Sequence, residues 1–130
     1  MAGILSLAAL GTAAVGAVPA AAAPSSVQVI QHVGDVTWYN TGLGACGWWN
    51  NDSELVAAVA PEVYGNLPNP NNAPICGKTL RIQGPRGSVE VRVVDKCMSC
   101  KKDDVDLSPA AFSKINDVNI GRFRSTWWQL

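Results

Sequence analysis

Two short stretches, VVD at residues 93–95 and VDLSPAAF at residues 105–112, are the most informative part of this sequence. Valines occupy alternate positions in residues 88–95, which is the period of a half-buried strand. We therefore predict that Asp95 ends a strand, and that Asp106, eleven residues further on, stands where a helix opens. Regular structure at both ends of the intervening loop can bring the two carboxylates to one surface.

The helix after Asp106 is predicted from its first residues. Ser108 is a typical N-cap residue, because its side-chain oxygen can accept a hydrogen bond from a free N–H of the first turn. Pro109 suits the first helical position, where no backbone N–H is needed. We expect a short helix that begins at Pro109 and ends near Ile115.

Together with three other segments, these stretches resemble a known family. In this order and spacing they resemble the double-psi β-barrel of expansins, and within that superfamily the single-domain loosenins; barwin-type and rare lipoprotein A-like proteins share the barrel. The resemblance spans residues 34–128 and implies a mostly β fold, a six-stranded double-psi β-barrel with one or two short helices. The matching segments are residues 34–39 (GDVTWY), 42–47 (GLGACG), 69–78 (NPNNAPICGK), 93–97 (VVDKC) and 106–109 (DLSP).

The N-terminal region differs sharply from the rest in composition. Its first 34 residues contain no Lys, Arg, Asp or Glu. We predict a signal peptide at residues 1–23 with cleavage near residues 20–23, because a short apolar run ends in small residues. Glycines and a proline interrupt this run, so a membrane anchor is not favoured. A flexible lead at residues 24–33 and a barrel domain at residues 34–130 follow, and we expect a secreted, extracellular protein.

Charge and length limit the partners that can be expected. Ten basic and ten acidic side chains cancel, so the composition favours neither nucleic acid nor an anionic membrane as a partner. A mature chain of about 110 residues can bury one modest core. We expect a monomer whose partner is a neutral polymer.

The four cysteines indicate disulfides. An even number of cysteines in a small secreted domain is typical of a disulfide framework, and three pairings of four cysteines are possible. The family resemblance favours Cys46 with Cys76 and Cys97 with Cys100. His32 is the single histidine of the sequence, so neither a metal site nor a cofactor is expected.

Periodicity and turn residues predict the remaining elements. Apolar runs and alternation predict strands, and a proline after an apolar run predicts a helical turn. Clusters of Asn, Pro and Gly predict loops. The predicted strands are residues 34–40, 55–60, 78–83, 88–95 and 121–128, with a helical turn at residues 61–64, a hairpin turn at residues 84–87 and one long ordered loop at residues 65–77.

By resemblance, Asp106 matches the catalytic-type aspartate of expansins and of family 45 endoglucanases, in which it is the general acid. Thr37 matches the first-strand threonine that accompanies it. Glycoside hydrolysis requires a second carboxylate across the scissile bond. The family 45 enzymes take this base from the first strand, where the present sequence has Asn40, and an amide cannot accept the proton. The hydrolytic pair is therefore incomplete, which favours a protein that is not a hydrolase.

Asp95 matches the second aspartate of expansins. We expect it to lie close to Asp106, where two like charges would share one proton. A protonated Asp106 could then donate a hydrogen bond to a sugar oxygen without cutting the chain. On spacing alone both residues have simpler explanations, since Asp95 can cap a turn and Asp106 can favour a helix N-terminus.

Aromatic side chains complete the predicted binding surface. Five tryptophans in a short chain are notable, because flat apolar rings stack on sugar rings. Trp38 and Tyr39 follow Thr37 on the first strand, and Trp48 and Trp49 lie in a loop rich in glycine and asparagine. Either loop tryptophan could instead cover the end of the barrel. Trp127 and its neighbour point to opposite faces of the last strand, so one of them is expected in the core.

One further motif is a glycosylation sequon. Asn51-Asp52-Ser53 matches the N-glycosylation pattern and lies in a predicted loop. Short sequons also arise by chance, and the central aspartate is unfavourable. The sequence therefore leaves open whether Asn51 carries a glycan.

These observations lead to one favoured function and two alternatives. We expect a secreted protein that binds cell-wall polysaccharide, such as cellulose, chitin or a related glycan, and loosens it without hydrolysis. One alternative is a protein-binding module, since a papain inhibitor and barwin-type defence proteins share this barrel. The other is a weak endoglucanase or lytic transglycosylase that works with a single acid.

Overall fold

The computed structural model describes residues 29–130, and every structural statement below concerns that part of the chain. The predicted signal peptide and the first residues of the predicted lead lie outside the described residues. Two helices, α1 (Pro61–Tyr64) and α2 (Pro109–Ile115), accompany six strands. The strands are β1 (His32–Trp38), β2 (Val56–Val59), β3 (Thr79–Gly84), β4 (Gly87–Lys96), β5 (Val105–Leu107) and β6 (Arg122–Gln129).

The six strands close into a barrel in the order β1-β5-β2-β4-β3-β6. Strands β1 and β5 pair in parallel, as do β2 and β4, and the remaining neighbours are antiparallel. Closure pairs every strand on both sides, so no exposed sheet edge remains among these strands. The prediction of a six-stranded double-psi β-barrel with two short helices is confirmed.

Side chains that alternate along the strands fill the barrel. Val89, Val91 and Val93 of β4 point inward and are almost fully buried, as their spacing predicts. Trp127 is 1 % exposed, so it is the core member of the tryptophan pair. Phe112 of α2 is fully buried and meets Phe123 edge to face, with ring centroids 5.4 Å apart. Helix α2 therefore contributes to the core that holds β6 in place.

The start of α2 agrees with the prediction, whereas the surroundings of Asp106 do not. The Ser108 hydroxyl oxygen accepts the Ala111 N–H at 3.3 Å, which makes Ser108 the N-cap of α2. Asp106 was predicted to open this helix, but it is the middle residue of β5. A strand of three residues is too short to show a period, and its partners β1 and β2 are distant in sequence.

The first strand begins earlier than its sequence predicts. Strand β1 starts at His32 instead of Gly34, and thereby takes two residues of the predicted lead into the barrel. The His32 ring stacks on Trp127 with centroids 4.0 Å apart, and its Nδ1 lies 2.9 Å from Oδ1 of Asp103. Both partners are at least 70 residues away, so no local pattern around His32 could indicate this packing.

Both disulfides favoured by the family resemblance are present. Cys46 pairs with Cys76 and Cys97 pairs with Cys100, so the described residues contain no free cysteine. The first bond ties the glycine-rich loop after β1 to the end of the long loop before β3. Tyr64 packs beside this bond, and its hydroxyl donates a hydrogen bond to the Pro70 carbonyl at 2.6 Å. The long loop is therefore ordered, and it contains one 3₁₀ turn at Pro70–Asn72.

No helix among residues 29–130 combines the length and the apolar character needed to cross a membrane.

We predict that the two disulfides contribute unequally to stability. The Cys46–Cys76 bond joins residues 30 positions apart, whereas the Cys97–Cys100 bond joins residues three positions apart. Loop-closure entropy then gives a loss of about 3–4 kcal/mol in unfolding free energy for the double Ser variant of the first pair, and about 2 kcal/mol for the second. Urea unfolding of both variants measures the difference. An equal loss of unfolding free energy in the two variants would contradict this interpretation. As a separate check, mass spectrometry of the unreduced protein should detect no free thiol.

Candidate functional site

One row of residues crosses five adjacent strands of the barrel. Residues in register on neighbouring strands share a face of the sheet. Asp106 lies between two fully buried residues and Thr37 follows the fully buried Val36, so this face points outward at both positions. A register shift between Ala57 and Ala58 aligns Ala58 with Asp95. In strand order the row is Arg122 on β6, Thr37 on β1, Asp106 on β5, Ala58 on β2 and Asp95 on β4; it is called the central row below.

Asp106 lies in the middle of the central row. Its carboxylate accepts a hydrogen bond from the Thr37 hydroxyl at 2.9 Å. Partial burial raises the pKa of Asp106 above its usual range, while the Thr37 hydrogen bond and the charge of Arg122 oppose this rise. Repulsion by Asp95 adds only the smallest contribution. The protonated form of Asp106 is therefore favoured mainly by loss of solvent.

Asp95 lies two strands away from Asp106, because Ala58 of β2 stands between them. Two strand spacings separate the two Cα atoms by about 10 Å. One oxygen of Asp95 accepts the N–H groups of Ala45 and Lys96, both at 2.8 Å. The expectation that the two carboxylates lie side by side and share a proton is therefore wrong. Asp95 instead anchors the loop that follows β1.

Close packing holds this loop against β4. A Cβ atom on Gly44 would lie 2.3 Å from the Val94 carbonyl oxygen and 3.2 Å from Cβ of Asp95, so only glycine fits there. The Cys46 N–H donates to the same carbonyl at 3.2 Å. The loop is thus fixed by Asp95, by a glycine contact and by the Cys46–Cys76 bond.

Tyr39 follows β1 and lies among three carboxylates. Burial raises the pKa of Tyr39 far above its usual range, and the charges of Asp95, Asp106 and Asp52 raise it further. The phenol therefore remains an O–H donor at every physiological pH. Its backbone N–H donates to the Leu107 carbonyl at 2.9 Å, which continues the β1–β5 pairing past the end of the strand.

Trp38 is the last residue of β1 and is 37 % exposed. Its indole N–H donates to the Val118 carbonyl at 3.0 Å. Val118 begins the 3₁₀ turn Val118–Ile120 just before β6. This hydrogen bond fixes one edge of the indole and leaves part of the ring accessible.

Asn40, which stands where the resemblance places a hydrolytic base, is bound to Asp52. The Asn40 amide donates to one oxygen of Asp52 at 2.9 Å, and the other oxygen accepts the N–H and the hydroxyl of Thr41 at 2.7 and 2.8 Å. These hydrogen bonds, led by the Thr41 N–H, lower the pKa of Asp52. In the sequence Asp52 stands out only as the centre of the sequon; the pattern that could have indicated its role is an Asp shortly after a glycine-rich loop. Asn51, the asparagine of the sequon, is exposed.

The loop tryptophans differ in their surroundings. Leu43 and Trp49 form an isolated β-bridge, and they are 57 % and 77 % exposed. They are called the Leu43–Trp49 tip below. Trp48 is 40 % exposed, and the Arg92 guanidinium lies 5.0 Å from its ring centroid. One face of Trp48 is thus occupied, whereas Trp49 keeps most of its surface free.

The structure groups the predicted site residues in two places. Thr37, Asp106 and Asp95 belong to the central row, and Tyr39 lies within electrostatic reach of both aspartates. Trp38 follows Thr37 at the end of β1, so its side chain leaves the strand on the opposite face. The loop tryptophans belong to the segment that Asp95 anchors. Within residues 29–130 no cluster of His, Cys, Asp or Glu could hold a metal ion. A cavity of about 380 Å³ lies elsewhere and contains none of these residues; it is lined by Val63, Tyr64, Gly65, Pro74, Ile75, Lys78 and Gln129.

The sequence is similar to a curated protein over nearly its full length. It is 34 % identical to a papain inhibitor of Streptomyces mobaraensis over 114 residues, which are 84 % of this chain and 80 % of that protein. The solved structure of the Streptomyces papain inhibitor has a TM-score of 0.71 at 33 % identity, and the match covers 77 % of this chain and 93 % of that chain.

Expansins match over part of their length. An expansin of Clavibacter michiganensis, solved in complex with cellohexaose, has a TM-score of 0.68 at 27 % identity over 78 % of this chain and 50 % of that chain. An expansin of Bacillus subtilis is 31 % identical over 59 % of this chain and 32 % of its own length. The chain therefore spans a third to a half of these relatives.

A family model described as lytic transglycolase matches residues 31–126, which include all six strands apart from the ends of β6 and nearly every site residue named above. The closed barrel, the two disulfides and the expansin and papain-inhibitor relatives agree with this match. The chain belongs to this family of double-psi β-barrel proteins, whose members include expansin-like proteins.

Proposed function

We propose that this protein acts outside the cell, where it binds cell-wall polysaccharide along the central row and loosens it without hydrolysis. The observation that carries the proposal is the state of Asp106. It combines a raised pKa, a hydrogen bond from Thr37 and a central position on an outward-facing row. Two disulfides in so small a domain favour an oxidising, extracellular compartment.

The proposed action is an exchange of hydrogen bonds. Protonated Asp106 donates a hydrogen bond to a glycosidic or hydroxyl oxygen of the bound glycan, and Tyr39 offers a second O–H donor nearby. Each new bond replaces one that joined neighbouring glycan chains, at a net gain of about 1 kcal/mol. No covalent bond forms or breaks, and the glycan leaves with its length unchanged.

The surroundings of the other carboxylates argue against hydrolysis. An inverting or retaining glycosidase needs a second carboxylate that is free to act on water or on the sugar. Asp95 is held by two backbone N–H groups, and the base position is an amide bound to Asp52. Neither residue is available in the required role, so Asp106 lacks a partner for cleavage.

Exposed aromatic rings support binding to a glycan. Trp38 lies directly after Thr37 on β1, and a fixed, partly exposed indole gives a flat apolar surface at little entropic cost. The similarity to an expansin solved with cellohexaose supports a polysaccharide as the ligand class. The described residues form only the barrel, so under this proposal the glycan binds to the surface of the barrel itself.

Inhibition of a papain-like protease is the second candidate. The Leu43–Trp49 tip favours it, because two large apolar side chains project from a loop already fixed by Asp95 and a disulfide. A preorganised apolar loop binds a protein cleft with little loss of entropy. The similarity to the papain inhibitor over 80 % of its length supports the same candidate.

We predict that loosening depends on Asp106 and that its pH dependence follows this residue. In Asp106→Ala, dispersal of filter paper should fall at least about tenfold, because the hydrogen-bond donor at the centre of the row is lost. Asp106→Asn keeps an N–H donor but cannot titrate, so its residual loosening should not change with pH. Wild-type loosening should rise as the pH falls toward the ordinary value of 3.8, since only the protonated acid donates.

The matched control is Glu90→Ala, which removes an exposed carboxylate of β4 outside the central row. It should loosen filter paper like the wild type. Soluble reducing sugar is measured in parallel. Steady release of oligosaccharide by the wild type, lost in Asp106→Ala, would establish a glycosidase or transglycosylase and overturn the non-hydrolytic proposal.

We also predict that Asp106 makes stability depend on pH in a defined direction. Its folded-state pKa is raised, so its contribution to stability is complete below the ordinary value of 3.8 and is lost as the pH rises through the folded-state pKa. Asp106→Asn should therefore raise Tm relative to the wild type at pH 7 and lose that advantage at pH 3. Thermal unfolding at both pH values is the measurement. An equal difference at the two pH values would show that burial does not perturb Asp106.

A final prediction separates the two candidate functions through Trp49. Trp49→Ala removes a mostly exposed ring, so Tm should change by less than about 2 °C. If the tip serves a protease, inhibition of papain should fall more than tenfold while cellulose binding stays within twofold. If Trp49→Ala instead weakens cellulose binding more than tenfold and leaves papain inhibition within twofold, the tip belongs to the glycan-binding surface. A wild type that does not inhibit papain at all excludes the second candidate.

A further inference from the structure

Two arginines of β6 extend the central row beyond Thr37. Arg122 aligns with Thr37 and Arg124 aligns with Asp35, so both face outward on the same side of the strand pair. Both guanidinium groups contact the single carboxylate of Asp35, at 2.8 Å for Arg122 and 3.5 Å for Arg124. These two positive charges face the negative charge of Asp35, and the Asp104 carboxylate, which accepts the Asp35 N–H at 2.9 Å, lies close by.

These two arginines contribute little to the stability of the fold. The side chains of Arg122 and Arg124 are 63 % and 68 % exposed, and exposed ion pairs contribute little to stability. A guanidinium has five N–H donors, and Arg122 uses one nitrogen for Asp35. The Asp35 contact therefore positions the guanidinium and leaves most of its donors free for another acceptor.

The arginine end is close enough to Asp106 to serve the same ligand. Two strand spacings place the Cα atoms of Arg122 and Asp106 about 10 Å apart, with Thr37 between them. The charge of Arg122 lowers the pKa of Asp106, so its field reaches that carboxyl group. The row thus has opposite electrostatic ends, positive at β6 and negative at Asp95.

We propose that Arg122, oriented by Asp35 and supported by Arg124, forms a subsite for a carboxylate group of an acidic cell-wall polysaccharide. This deepens the proposed function and rests on it, since it names the class of glycan for the same row. A guanidinium binds a carboxylate through two parallel hydrogen bonds, a geometry that a neutral glucan cannot use. The carboxylate belongs either to a uronic acid or to a muramic acid of peptidoglycan whose lactyl group carries no stem peptide; the chemistry of binding is shared.

The polarity of the row also fixes the orientation of the ligand. A carboxylate near Asp95 would meet a second negative charge, whereas near Arg122 it meets a free donor. An acidic sugar is therefore expected over β6 while the neighbouring sugar lies over Thr37 and Asp106. The net charge of zero for the whole chain is compatible with binding of an acidic sugar, because recognition depends on the charge close to the binding site.

The test compares binding of the folded protein to four polymers in low and high salt. Polygalacturonate and peptidoglycan carry carboxylates, methyl-esterified polygalacturonate has the same backbone without the charge, and cellulose is neutral throughout. The variants are Arg122→Gln, Arg122→Lys and, as a matched control, Arg86→Gln in the exposed β3–β4 turn. Circular dichroism checks that each variant is folded.

We predict that the wild type binds at least one carboxylated polymer about tenfold more tightly than its neutral counterpart. Arg122→Gln should reduce this preference to within twofold, Arg122→Lys should restore part of it, and Arg86→Gln should have no effect. High salt should weaken only the carboxylate-dependent part. The polymer that is preferred, polygalacturonate or peptidoglycan, identifies the source of the carboxylate.

Three results would overturn the inference, and they differ in what they imply for glycan binding along the central row. If the wild type binds cellulose and does not prefer either carboxylated polymer, the arginine subsite is wrong while glycan binding stands. If Arg122→Gln and Arg86→Gln weaken binding equally, the preference comes from general charge and not from this site. Binding to none of the four polymers would contradict the proposed function and the subsite together.

Discussion

The pairing of the three-residue strand β5 between β1 and β2 is the constraint on which the site depends. Val105 and Leu107 are fully buried in the barrel, so the residue between them must point outward. Parallel register with β1 then places Asp106 beside Thr37, whose hydroxyl donates to it. The acid is held by the same burial that closes the barrel, and its position cannot vary without loss of core packing.

The same barrel separates the carboxylates into different roles. Burial raises the pKa of Asp106, hydrogen bonds from three donors lower the pKa of Asp52, and Asp95 holds the glycine-rich loop. A hydrolase would need two of them free on either side of a sugar. Their separation into one partly buried acid and two anchored carboxylates supports the proposal that the protein binds and loosens a glycan without cleaving it.

Two surfaces of one small domain suit two kinds of partner. The central row is polar and elongated, with an arginine at one end, and suits a polysaccharide chain. The Leu43–Trp49 tip is apolar and projects from a fixed loop, and it suits a protein cleft. Asp95 links them, because it belongs to the row and its carboxylate holds the loop. Expansin-like and papain-inhibitor relatives can thus share one fold with different functions.

From the sequence alone, the alternation in β4, the Ser108 cap and the ordered family segments determined the barrel, the helix α2 and the residues expected at its surface. These features are local, so a short window contains their cause. Only the tertiary structure decided which residues are neighbours across the strands. The register shift at Ala57 and Ala58 aligns Ala58 with Asp95, and pairing across the closed barrel aligns Arg122 with Thr37. Such long-range register is set by packing between distant segments, and no local pattern contains it.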